Sequence, residues 1–129
     1  MAKMRSAQRE RELAELLRRD HTLNGGILFG LDGYVIEIQA RAMEILKRPT
    51  SFRSSTQITG MARGAISEAL DRISGAFAKL GLPATEVEIL INLTPPDLMK
   101  EGTWLDLPIA IIIAASCWYS ARSAGAPRR

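Results

Sequence analysis

The side chains of this sequence that could do chemistry gather in one stretch, NLTPPDLMKEGTWLDLP, from Asn92 to Pro108. It holds a lysine (Lys100), two aspartates (Asp97 and Asp106), a glutamate (Glu101), a hydroxyl (Thr103) and an indole (Trp104), with an apolar run on either side. An amine of lowered pKa can activate a hydroxyl nucleophile. No hydroxyl is placed for Lys100 by the pattern, however, and Ser116 falls inside the apolar run that follows. Other chemistries find fewer residues still. One Cys (Cys117) and one His (His21) make neither a disulfide framework nor a zinc site of His and Cys ligands. The pattern G-x-x-x-x-G-K-S/T occurs nowhere, so the chain has no P-loop for ATP. No cofactor or metal is expected.

The same stretch also reads as a connector built for shape. Asn92 closes a strand and can bond loop backbone groups. Pro95 and Pro96 fix an extended exit, and Asp97 can accept from backbone N–H groups ahead of a turn. Gly102 permits a backbone angle other residues avoid. Asp106 can cap the helix that follows, a contribution of about 0.5–2 kcal/mol. Pro108 suits a first helical turn, where its missing N–H costs nothing. Trp104 can lay its ring over the helix start. Lys100 and Glu101 are then left without a structural task, which makes them candidates for contact with a neighbouring subunit or domain. A helix N-terminus also attracts anions, so phosphate contact near Lys100 is conceivable, although no Gly-rich nest supports it.

The elements that must position this stretch follow from periodicity. Residues 3–20 read as a charged helix with Leu13, Leu16 and Leu17 on one narrow face and a Glu15–Arg19 pair at i,i+4. Asn24-Gly25-Gly26 breaks it. Strands are expected at ILFG and, after a turn at Asp32-Gly33, along YVIEIQARAMEIL, where Tyr34, Ile36, Ile38 and Ala40 share one side. KRPTSFRSS is a loop and TQITG a short third strand. Residues 61–80 form the clearest helix, with Ile66, Ala69, Leu70, Ile73, Phe77 and Leu80 at helical spacing and Gly81 as its stop. Thr85–Leu93 alternates as a fourth strand, with Val87, Ile89, Ile91 and Leu93 on one side. Leu107–Ala121 is apolar all round and reads as a buried helix, although its isoleucines favour helix poorly. The expected architecture is α+β: about four strands in one small sheet, helices packed on one face, and an extra N-terminal helix. Its parts are a charged helix and linker over 1–26, a folded domain over 27–121 and a disordered basic tail over 122–129.

Bulk properties narrow the function classes. The chain has 129 residues, 47% hydrophobic and 24% charged, enough for one real core. A net charge of +3 is weak support for a nucleic-acid partner, since much of the excess sits in Arg-rich ends. The first twenty residues are charged, unlike a secretory signal, and the most apolar run falls short of the ~20 residues that cross a bilayer. A cytoplasmic protein without a membrane partner is expected.

At INLTPPDLMKEGTWLDLPIAIIIAAS the chain resembles the N-terminal domain of the magnesium-chelatase ChlI-like/ComM family of AAA+ ATPases. The matching positions are Asn92-Leu93, Pro95 and Asp97, Lys100-Glu101-Gly102, and Asp106 through Ala110, with Pro108 in that last run. GMARGAISEALDRI resembles the family's Gly-Leu-Pro-Asp helix start, with Gly60, Ala65, Glu68 and Arg72 preserved, and LFGLDGYVIEIQA resembles its opening hairpin. The resemblance covers residues 27–117. It implies a fold similar to ribosomal protein S5 domain 2 and to the Lon proteolytic domain, placed ahead of a P-loop ATPase ring, in proteins linked to natural transformation and branched DNA. This sequence departs from it in lacking the P-loop, in carrying Ala62-Arg63 for Pro-Asp, and in ending before further strand and helix that the family domain has.

Lon-type peptidases pair a Ser nucleophile with a Lys. Laying their Lys-Asp-Gly-Pro-like step on KEGTW puts Trp104 at the nucleophile position, and indole offers only a donor N–H. Thr103 is one residue off. The expected function is therefore a non-catalytic, Lon-like domain that self-associates or docks to an ATPase partner, in DNA processing or natural transformation. The alternatives are a basic nucleic-acid-binding module and, least of all, a remnant Ser–Lys peptidase.

Overall fold

The computed structural model describes residues 2–17, 20–45, 51–82, 87–100 and 102–123. These form α1 (Ala2–Leu17), β1 (Asp20–Phe29), β2 (Asp32–Ile45), α2 (Phe52–Ser55), β3 (Thr56–Thr59), α3 (Arg63–Leu80), β4 (Val87–Thr94) and α4 (Asp106–Ser123). The strands make one mixed sheet in the order β1-β2-β4-β3. β1, β2 and β4 are antiparallel neighbours, whereas β3 lies parallel to β4 and reaches it through α3. This is the expected α+β architecture, consistent with a ribosomal protein S5 domain 2-like fold.

Alternation along the strands decides which face is covered. β2 turns Ile36, Ile38, Ala40 and Ala42 inward, and β4 turns Val87, Ile89, Ile91 and Leu93 inward. Leu70, Ile73 and Phe77 of α3 and Ile109, Ile112 and Ile113 of α4 join them in one core. Burying each large aliphatic side chain contributes about 1.5–3 kcal/mol. The opposite face carries Thr22 and Asn24 of β1, Glu37, Gln39 and Arg41 of β2, and Asn92 and Thr94 of β4, in matching register. A single-sided alternation of this kind leaves the polar face to water.

Several elements differ from their sequence-based expectation. Residues 20–26, expected as the helix end and a linker with a break at Asn24–Gly26, are the first part of β1. The glycine is there for α4: a Cβ on Gly25 would come within 2.9 Å of Leu105 Cδ2 and 3.1 Å of Pro108 Cγ. The hairpin turns at Gly30–Leu31, not at Asp32–Gly33. Gly30 takes φ 64° at the first central position, as a two-residue hairpin loop requires. Inside the expected loop, Phe52–Ser55 make one helical turn capped by Ser51, whose Oγ accepts from the Ser54 N–H at 3.2 Å. α3 matches its expected span, but Leu80 is exposed at its end.

α4 is a helix despite its isoleucines, because core packing outweighs propensity. It is not buried all round. Ile109, Ile112 and Ile113 face the sheet, whereas Leu107 and Ile111 are exposed. α1 lies beside α4 and β2. Arg19, the expected partner of Glu15, lies outside the described residues. So does the tail from residue 124, while Arg122 and Ser123 continue α4. Among the described residues, no helix is long and apolar enough to cross a membrane.

Candidate functional site

The β4–α4 connector is the stretch that holds the candidate residues, and Lys100 is its centre. Lys100 is only 2% exposed, so it is not a contact residue on the surface. Its Nζ donates to the carbonyl oxygens of Gly60 at 2.8 Å, of Leu98 at 2.9 Å and of Pro95. Three acceptors match the three donors of an ammonium group. Burial pushes the Lys100 pKa below the ordinary lysine value, and the Asp97 carboxylate opposes that shift. The connector thus wraps around its own lysine. Two of the bonded carbonyls belong to the loop, and the third ties the loop to the end of β3.

That third carbonyl explains Gly60. Gly60 sits at φ 87°, and a Cβ there would run into the Leu93 main-chain carbonyl at the end of β4. Only glycine fits so close to a neighbouring backbone at that angle. One residue earlier, Thr59 Oγ1 donates to Asn92 Oδ1 at 2.8 Å, pinning the β3 terminus to the β4 terminus on the open face. Gly60 and Asn92, separate in sequence, therefore serve one junction.

A second clamp joins the two helices. The Arg72 guanidinium of α3 holds the Asp106 carboxylate with both fork nitrogens, Nε to Oδ2 and Nη2 to Oδ1 at 3.0 Å. Glu68, one turn earlier on α3, approaches Arg72 Nη1 at 3.9 Å. The hydrogen bond that Arg72 donates to Asp106 holds the guanidinium pKa above its ordinary value. Asp106 was expected to serve its own helix N-terminus. Instead it spends its carboxylate on α3, while its charge still complements the positive end of α4. Exposed bidentate pairs of this type contribute on the order of 1 kcal/mol or less.

The remaining candidates lie outside these clamps. The Thr94–Pro95 peptide is cis. Pro95 and Asp97 are exposed, Gly102 takes φ 71°, and Pro108 is half-buried against β1. Glu101 lies outside the described residues. Trp104, expected to bury its ring, is 54% exposed. It lines a depression of about 280 Å3 with Ile27, Leu28, Phe29, Met99 and Gly102. Thr103 is exposed beside it, and Ser116 is buried in α4 with its Oγ donating to the Ile112 carbonyl at 2.8 Å. Among the described residues no group of His, Cys, Asp and Glu is arranged to hold a metal ion.

Geometry therefore brings together what the sequence shows as two separate motifs. Gly60, Glu68 and Arg72 meet Asn92, Lys100 and Asp106 across the β3–α3 and β4–α4 junctions. Residues 46–124 match the family described as subunit ChlI of Mg-chelatase. That match spans more than half of the chain. The chain belongs to this family. Among curated relatives, the competence protein ComM of Haemophilus influenzae is 35% identical over 80 residues, covering 61% of this chain and 16% of ComM. The uncharacterized protein YifB of Escherichia coli strain K12 is 41% identical over 59 residues, covering 46% of this chain and 12% of YifB. The chain thus spans only a small part of the length of the relatives it matches. In this ChlI-family domain Gly60, Arg72, Asn92, Lys100 and Asp106 carry the contacts that join the β3–α3 and β4–α4 junctions.

Sequence reasoning missed the Arg72–Asp106 clamp and the Lys100 cage. One signal was available for each. Glu68 and Arg72 share a helix face at i,i+4, which leaves the guanidinium fork free for a third partner. Lys100 stands in a loop whose Pro residues cannot donate, so that loop has carbonyls in excess of N–H groups.

Proposed function

We propose that this chain is a non-catalytic domain of the ChlI/ComM-like family that works by protein contact, through self-association or docking to an ATPase module. One observation carries the reading: the only ammonium in the connector spends its donors on main-chain oxygens, while apolar side chains around it stand exposed. Leu28, Phe29, Met99 and Trp104 surround the depression beside the connector, each more than half exposed. Contiguous apolar surface rimmed by polar residues marks contact sites. A lysine engaged in this way has no lone pair to act as a base, and indole has none to act as a nucleophile. The wider role suggested by the relative named a competence protein is DNA processing or natural transformation, reached through the partner. Direct nucleic-acid binding finds less support, since among the described residues the open sheet face sets Asp20, Glu37 and Glu88 against Arg41 and shows no basic stripe for phosphate contact.

Solution mass and binding to a purified ChlI-type ATPase subunit test the reading. Self-association or ATPase binding that weakens in Trp104→Ser is expected. A monomer that binds no such subunit, or labelling by a serine-reactive probe that Thr103→Ala abolishes, refutes it.

A further inference from the structure

We infer that the partner at one surface is a second copy of this chain, joined edge to edge through β1 around a two-fold axis at Asn24; the inference rests on the protein-contact reading above. Among the described residues β1 is an outer strand of the sheet and pairs with β2 alone. It is ten residues long, DHTLNGGILF, and carries no Lys, Arg or Pro. Those are the residues that usually protect an exposed edge. The hairpin register fixes which groups point outward. Phe29 and Asp32 close a two-residue loop and form a hydrogen-bonded pair, so the odd-numbered residues from His21 to Phe29 bond to β2. The N–H and C=O groups of Asp20, Thr22, Asn24, Gly26 and Leu28 therefore face away from the sheet.

These outward residues are symmetric about Asn24. An antiparallel copy in that register sets Asp20 against Leu28, Thr22 against Gly26 and Asn24 against itself, and makes about ten backbone hydrogen bonds. That number matches a standard specific interface. The two-fold runs perpendicular to the sheet, so both helical layers stay on the same side. This matters because the helix above the edge is unfinished. Pro108 of α4 and Leu105 just before it sit over Gly25 at the middle of β1. Asp106 binds α3, which lies on the other flank of α4. The side of α4 turned away from the sheet carries Leu107 (69% exposed) and Ile111 (49%), and Trp104 (54%) stands in the turn before the helix. One rotation pairs the edge and sets the two α4 helices, each lying over Gly25 of its own β1, side by side on one face of the joined sheet. An edge of ten residues is about 33 Å long. With a helical layer about 10 Å above it, two copies bury on the order of 1,000 Å2, the lower bound for a specific interface.

Analytical ultracentrifugation across the micromolar range tests the pairing, with the full chain and with Asn24→Pro. Proline at Asn24 removes an outward N–H and leaves the β2 ladder intact, as edge strands allow. The wild type should shift from 14.2 kDa toward twice that mass, and Asn24→Pro should raise the dissociation constant at least tenfold. Amide exchange of the wild type provides the check that does not depend on a variant folding: protection at Thr22, Asn24 and Gly26 should rise with concentration, while Leu23 and Gly25 stay protected throughout. A wild type that remains monomeric overturns the inference, as does a dimer that Asn24→Pro leaves intact or one in which the Asn24 amide stays unprotected. A monomer that still binds a ChlI-type ATPase subunit overturns the pairing and leaves the protein-contact reading standing.

Discussion

The two edges of the sheet are finished in opposite ways. The β3 edge is four residues long and flanked by helices in sequence on both sides. Its last residues are tied down by Thr59–Asn92 and by Gly60, whose carbonyl receives Lys100. The β1 edge is ten residues long, unpaired on its outer side among the described residues, and overlain by a helix whose outward side carries exposed Leu107 and Ile111. At one edge the polar groups are consumed inside the chain. At the other, backbone and apolar surface remain available. Of the motif residues, Gly60, Asn92 and Lys100 lie at the first edge, whereas Pro108 packs over Gly25 of β1.

The contrast predicts a gradient of stability effects. Gly60→Ala should be the most damaging, by about 2–4 kcal/mol, because the new methyl meets Leu93 backbone and the angle itself is strained. A urea midpoint that barely moves would show that the β3 end can relax and is not tightly held. Lys100→Met should follow at about 2–3 kcal/mol, since it leaves the carbonyls of Gly60, Pro95 and Leu98 without their donor.

Lys100 also makes a pH prediction. Burial lowers its folded pKa below the unfolded value, so the unfolded chain binds more protons at pH values between the two. The fold therefore favours the charged form less than the unfolded chain does, and stability should rise as pH climbs through the folded pKa toward about 10.4, where the unfolded lysine titrates. Urea midpoints of the wild type minus those of Lys100→Met, followed upward from pH 8, give the slope. A falling difference would mean that the three carbonyls stabilise the ammonium more than burial penalises it.

Smaller effects belong to the surface. Arg72→Ala should cost about 1 kcal/mol, discounted for a guanidinium that is 40% exposed, and the loss should shrink in high salt. Leu107→Ser with Ile111→Ser should change monomer stability by less than about 0.5 kcal/mol, since both side chains are exposed. A loss of several kcal/mol in that double variant, measured by thermal unfolding, would place these side chains inside the monomer core and erase the difference between the two edges.

Local pattern was enough for much of the fold. β4 and α3 are legible because a period of 2 and a period of 3.6 are each sustained over a whole element with a clear stop. β1 was not legible, because its two glycines look like a break until α4 is seen lying on Gly25. The candidate residues were legible as a set and misread in role. Lys100 looks unassigned in sequence because its acceptors are main-chain oxygens, which every residue has and no side-chain pattern announces.

By itself the sequence determined the element types, the apolar faces, the absence of a P-loop and the family. Those properties depend on neighbours along the chain or on residue identity alone. Only the tertiary structure decided that Lys100 is enclosed, that Asp106 belongs to Arg72, and that α4, with Leu107 and Ile111 exposed, lies over an open strand. Each of these depends on which distant segments meet, and hydrogen bonds and burial are settled by that meeting and by nothing nearer in the chain.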